Sequence, residues 1–123
     1  MATLREYVKL VDHLVEQTQT GQISWVREVP PRQLLTTHNR IQPVYVTFYN
    51  GRDIRLYEEM YKHFTDEDEY YWQTQVVLEF IDEDANSIWQ FPQTSNGWDL
   101  LSAVRYRDAN VDAFISDIFG KNP

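Results

Sequence analysis

The chain has 123 residues, no cysteine and a net charge of −8. That length suits one compact domain with a core large enough to stand without staples, and the missing cysteines exclude disulfides, thiolate metal centres, iron–sulfur clusters and cysteine nucleophiles. The negative balance argues against nucleic acid as a partner, while 42% apolar and 15% aromatic residues mark a folded chain and not a disordered one.

The first element reads as a helix. Leu4, Tyr7, Val8, Val11, Leu14 and Val15 share one face at helical spacing. Thr3 with Glu6 makes a capping box at the start, and Gly21 supplies a left-handed residue at the end. The same opening lacks the apolar run of a secretory signal. No later stretch approaches the roughly 20 apolar residues of a membrane helix. The expected setting is therefore soluble and cytoplasmic, with no membrane partner.

Ile23 to Val29 reads as a first strand, stopped by Pro30-Pro31. Residues 30–43 read as a connecting loop, tacked to the core by Leu34 and Leu35. Val44 to Tyr57 is a hairpin turning at Asn50-Gly51. A three-residue loop would pair Val46 with Ile54 and Val44 with Leu56. That leaves one apolar face, with Tyr45, Thr47, Asp53, Arg55 and Tyr57 outside, so this register is expected. Residues 58–64 fit either helical or alternating spacing, and the strand is expected to run on to about Tyr61.

Thr65 to Glu69 is an acidic turn and Tyr70 to Ile81 a strand. Asp82 to Asn86 turns the chain, and Ser87 to Phe91 returns with Trp89 opposite Phe80 and Phe91 opposite Leu78. Trp98 to Phe119 closes as helix, broken at Ala109-Asn110 with Asp108 as a second N-cap. Leu100, Leu101, Val104, Val111, Phe114, Ile115 and Ile118 mark its expected buried side, and Gly120 its end. The order predicts a single α+β domain over residues 1–123. Its antiparallel sheet has about five strands in a meander, flanked by an N-terminal and a C-terminal helix.

Thr18-Gln19-Thr20-Gly21-Gln22-Ile23-Ser24-Trp25, a T-x-x-G-x-I-x-W pattern after the first helix, resembles the opening of many small, uncharacterised bacterial proteins. The later segment Val77-Leu78-Glu79, Asp82-Glu83-Asp84, Ile88-Trp89 and Phe91-Pro92 is similar to their second hairpin. The resemblance covers most of the chain and implies no activity.

Charge is distributed unevenly. Residues 58–84 hold ten acids and one base, Lys62, so the remaining chain is close to neutral. Such asymmetry concerns partners and solubility, not fold. Asp66-Glu67-Asp68-Glu69 clusters oxygens that hard cations favour, with His63 close by. Asp82, Asp84 and Asn86 match the start of a calcium loop, but Ser87 and Gln93 stand where that loop needs glycine and glutamate. Solvated turns account for both clusters more simply. No histidine pair has ligand spacing, no serine lies in a nucleophile elbow and no glycine run forms a phosphate loop.

Arg27, Arg32, Arg40, Arg52 and Arg55 with Tyr45, Tyr49 and Tyr57 could form a small basic–aromatic face. Cross-strand ion pairing on an outer sheet face is the favoured reading of these arginines. Trp25, Trp89 and Trp98 are expected in the core.

Aromatics beside an acidic run suit a protein interface. The partner-binding residues expected from sequence are Asp66, Glu67, Asp68, Glu69, Tyr70 and Tyr71, with Trp72 adding contact area and Asp82 to Asp84 extending the acidic rim. The function class this supports is a small acidic, non-catalytic interaction or regulatory module that meets a basic protein surface. It needs no cofactor, catalytic residue or metal ligand, and it leaves room for a homodimer along a sheet face or edge. The alternative is a divalent-metal-binding protein or metal-assisted hydrolase using the acidic turns.

Overall fold

The computed structural model describes residues 1–120. In chain order the elements are α1 (Leu4–Gln19), β1 (Val26–Glu28), a 3-10 turn (Arg32–Leu34), β2 (Asn39–Ile41), β3 (Val44–Tyr49), β4 (Arg52–Phe64), β5 (Tyr70–Ile81), β6 (Ser87–Gln90), α2 (Gly97–Asp108) and α3 (Val111–Phe119). The fold is α+β. Its antiparallel sheet runs β1-β3-β4-β5-β6, and β2 pairs with the far half of β4. β2 and β3 thus share one edge of the same long strand. β2 was hidden in the segment expected to be loop.

The capping box forms at Thr3 and Glu6, with both reciprocal hydrogen bonds present. Gly21 adopts φ +79 after the helix, and the indole N–H of Trp25 reaches back to the hydroxyl of Thr18 at 3.0 Å. Thr18 is fully buried and Ile23 nearly so. The T-x-x-G-x-I-x-W pattern is therefore a clamp that folds the chain from helix to sheet. The first strand is shorter than the expected Ile23–Val29, because Ile23 enters the core ahead of it.

The main core lies between the sheet and the two long helices. Val11 and Leu14 of α1, Ile54 and Leu56 of β4, Val76 and Leu78 of β5, and Leu100, Leu101 and Val104 of α2 fill it. Asn96 ties the helices together, its Nδ2 donating to the Val8 carbonyl at 3.0 Å and the Asp12 carboxylate at 2.7 Å. A smaller core occupies the other sheet face. There Val44, Tyr57 and Val77 lie beneath Leu34, Ile41 and Val46. Leu34 is thus tacked down as expected, whereas Leu35 stays half exposed.

That second core explains a correction. The Asn50-Gly51 loop has two residues, not three, and pairs Tyr49 with Arg52, Phe48 with Asp53, Val46 with Arg55 and Tyr45 with Leu56. Both loop residues have positive φ, +50 and +80, as a type I′ turn requires. The expected register avoided placing charge opposite apolar side chains. The protein accepts it because Arg55 is buried and paired. Its Nε donates to Glu79 Oε2 at 2.7 Å and its Nη1 to the Ala85 carbonyl at 2.8 Å. Nη2 lies 2.6 Å from the same carboxylate oxygen, off the angle of a hydrogen bond.

Two further expectations are revised. β4 continues to Phe64, beyond Tyr61, because every residue from Ile54 to Phe64 has a partner on β5. The C-terminal break falls at Ala109-Asn110 as expected, but Asp108 does not cap α3. Its carboxylate instead meets Tyr45 Oη and Arg27, each at 3.4 Å. Asn110, at φ +55, takes the cap position and swings α3 off the core. Leu100, Leu101 and Val104 are buried as expected, while Phe114, Ile115 and Ile118 are exposed and Val111 only half-buried. In the β5–β6 hairpin Trp89 does face Phe80, and the Phe91 amide donates to the Leu78 carbonyl. Trp89 and Trp98 both keep 44% exposure, so neither is a core residue.

Removing one partner of a buried pair strands the other charge. Arg55→Leu should lower the unfolding free energy by about 3–5 kcal/mol in urea titration, with Arg55→Leu/Glu79→Leu recovering most of that loss. A single-variant loss below about 1 kcal/mol would show that the pair does not hold the register.

Burial also pushes the phenols of Tyr57 and Tyr45 up, helped by Glu79 and Glu59 at the first and by Asp108 at the second. A phenol raised on folding favours the fold fully below its unfolded value of about 10 and loses that contribution as pH climbs through the folded value. Stability measured by urea titration should therefore fall above about pH 10, and Tyr57→Phe should flatten the fall.

Candidate functional site

The helix-packed core ends at Leu56 and Val76. Past those residues β4 and β5 run on as a ribbon over 59–64 and 70–75, joined by the turn 65–69 and flanked on one side only by β2. Strand alternation sends its side chains to two faces.

One face carries Lys62, Phe64, Tyr70 and Trp72, joined by Arg40 from β2. Phe64 and Tyr70 stand 5.5 Å apart, and Tyr70 meets Trp72 edge-on at 6.1 Å. Two cations fit between these rings. Lys62 Nζ lies 4.4 Å from the Tyr70 ring, and the Arg40 guanidinium 4.7 Å from Trp72. Such contacts draw a cation to the negative face of the ring. His38 closes the row edge-on against Phe64 at 5.3 Å.

The other face carries Tyr61, His63, Tyr71 and Gln73. His63 tilts against Tyr71 at 5.0 Å. Tyr61 Oη donates to Gln73 Oε1 at 2.8 Å, and Gln73 Nε2 reaches Tyr71 Oη at 3.4 Å. Tyr70 and Tyr71 are 45% and 47% exposed and point to opposite faces.

Above both faces sits the acidic turn. The Thr65 and Asp66 amides donate to the Glu69 carbonyl at 2.9 and 3.3 Å, and Asp66 Oδ1 accepts from the Glu67 amide at 2.7 Å. Asp66, Glu67, Asp68 and Glu69 are all exposed. The six residues expected to bind a partner are thus gathered at one free end of the sheet.

Asp82, Glu83 and Asp84 do not join them. They lie at the opposite end of β5, roughly 35–40 Å away at the rise of a strand. The acidic stretch is therefore two patches. The second is a braced turn. Asp82 Oδ1 accepts from the Asp84 and Asn86 amides, both at 2.9 Å, and these bonds hold its carboxyl below the usual range. Gln33 and Arg55 bind the Asp84 and Ala85 carbonyls from behind. Among the described residues no three His, Asp or Glu side chains are grouped to hold a metal ion.

The basic–aromatic face suggested by the arginines does not assemble. Arg55, Tyr45 and Tyr57 are buried, and Tyr45 and Tyr57 lie on opposite faces of the sheet. Sequence reasoning missed Phe64 and Lys62 as site residues, whose alternation with Met60 was the available signal, and His38; it grouped Arg40 with Tyr45, Tyr49 and Tyr57, whereas the β2 pairing sets it over Trp72. No helix among the described residues is long and apolar enough to cross a membrane. Comparisons with protein-family models, characterised proteins and solved structures find no match for the chain.

The turn's side chains make no contact with the core, so it should be expendable for folding. Replacing residues 65–69 by Asn-Gly, which keeps Phe64 opposite Tyr70, should leave the melting temperature within about 4 °C of wild type by circular dichroism. A larger drop would give the acids a structural role.

Proposed function

We propose that the protein is a non-catalytic interaction module that grips a basic protein surface with the free end of its β4–β5 ribbon. The observation that carries this reading is the placement of exposed tyrosines on both ribbon faces directly beneath four exposed carboxylates. Carboxylates at a projecting tip steer a cationic partner and raise the rate of encounter. Tyrosines supply large contact area with few rotors to freeze, which suits them as anchors once the tip has docked. The same carboxylates repel a phosphate backbone, which disfavours nucleic acid. Lys62 and Arg40 lie back on their rings below the turn, and the four exposed carboxylates of residues 66–69 outnumber them, so the tip is negative.

The test is a tagged pull-down from source lysate at low salt, with the captured proteins identified and their association rates then measured. Association should slow about tenfold or more between about 50 and 500 mM salt. Asp66→Lys/Asp68→Lys should abolish capture, and Tyr70→Ala/Tyr71→Ala should speed dissociation. Asp82→Lys/Asp84→Lys, at the far end, should leave both unchanged. Equal capture by the wild type and the reversed tip would sink the reading.

A further inference from the structure

The last helix poses a separate problem. α3 has nine residues and none is buried. Isolated helices this short are marginal in water and owe their stability to packing of an apolar face. Phe114, Ile115, Ile118 and Phe119 form such a face, at 65%, 44%, 59% and 81% exposure. Asp112 and Asp117 flank it on either side at helical spacing. The left-handed Asn110 and the two-residue link from α2 hold α3 away from its own core.

Beside α3 lies a groove of about 540 Å³ between α1 and α2. Val15 and Gln19 form one wall and Asp99, Ser102, Ala103, Tyr106 and Arg107 the other, with Asp112 at the start of α3 closing one end through a 2.7 Å hydrogen bond from the Tyr106 hydroxyl. Arg107 is in no ion pair among the described residues.

We propose that α3 is the dimerisation element of this chain: it seats its apolar face in the groove of a second copy and receives that copy's α3 in its own. Helix and groove are neighbours on one molecule, so a single two-fold axis fills both grooves and closes the assembly at two copies. The exposed face of α3 amounts to about 450 Å² per copy, given side chains of the 150–250 Å² class. With the groove walls it covers in turn, the total exceeds the ~1,000 Å² a specific interface needs. The groove holds Asp99 and Asp112 as well as Arg107, with Asp112 held by the Tyr106 hydroxyl, so the one charge contact on offer is Asp117, at the border of the face, against the Arg107 that its own chain leaves without an ion pair among the described residues. A lipid surface is the poorer occupant, because helices lying on membranes carry Lys and Arg on their flanks and α3 carries aspartates there.

Sedimentation velocity on the wild type, from about 1 to 200 μM, should show a species of twice the monomer mass, with a melting temperature that rises with concentration. Phe114→Asp/Ile118→Asp alters side chains outside the monomer core, so the circular dichroism spectrum should persist while the dimer weakens by about 100-fold or more. Ser102→Trp, which fills the groove and leaves the apolar face of α3 unaltered, should do the same. A wild type that stays monomeric throughout overturns the proposal, and if it then binds phosphatidylglycerol vesicles the occupant is lipid. A Phe114→Asp/Ile118→Asp variant that stays dimeric overturns it too, since the interface then lies elsewhere.

Discussion

The buried contact between Arg55 and Glu79 sets much of this architecture. Arg55 is the largest fully buried side chain among the described residues, and it lies between two sheet neighbours and a turn. A buried cation is tolerated only when opposite charge and hydrogen-bond acceptors surround it. Glu79 supplies the charge, and the Ala85 carbonyl supplies a further acceptor. A one-residue slip of β4 or β5 would turn one of the two groups to the wrong face. The pair therefore acts as a register pin, and the 30–43 segment that covers it gives the sheet a second core.

Pinning one end of the sheet frees the other. β4 and β5 are long enough to pass beyond the helices, and from Glu59 outward they are stabilised by strand pairing, ring contacts and side-chain hydrogen bonds such as Gln75 to Glu59 and Tyr61 to Gln73. Cation–ring contacts suit such a place, since they need neither full burial nor a carboxylate partner. Lys62, the one base in the acidic stretch, is held down against Tyr70 and Trp72. Among the described residues it pairs with none of the four carboxylates above it, which outnumber it.

Local signals in the sequence were faithful. The cap at Thr3, the left-handed Gly21, the position of the Asn50-Gly51 turn, the facing of Phe80 and Trp89, and the break before Asn110 each depend on a few adjacent residues. The errors arose where a distant partner decides. The β3–β4 register hinges on Glu79, 24 residues from Arg55, and on a covering segment that reads as plain loop. The α3 stripe announces that Phe114 and Ile118 need cover, but periodicity does not say from which molecule. The acidic turn and Tyr70-Tyr71 stood out by composition. Arg40 and His38 did not, because only the pairing of β2 with β4 carries them to the ribbon.

The pairing of β5 has a consequence for solubility. Its outer edge is covered by β6 only from Glu79 onward, with Phe91 and Gln93 reaching back to Leu78 and Val76. Among the described residues, positions 70–75 present an unpaired strand edge. Edges of this kind recruit further strands, and proteins guard them with charge, twist or cover. Here the guard is the cluster of like charges at the ribbon's end, which keeps two such edges from lying side by side. Neutralising those carboxylates, by acid or by a bound polycation, would remove the guard and expose the rings with it.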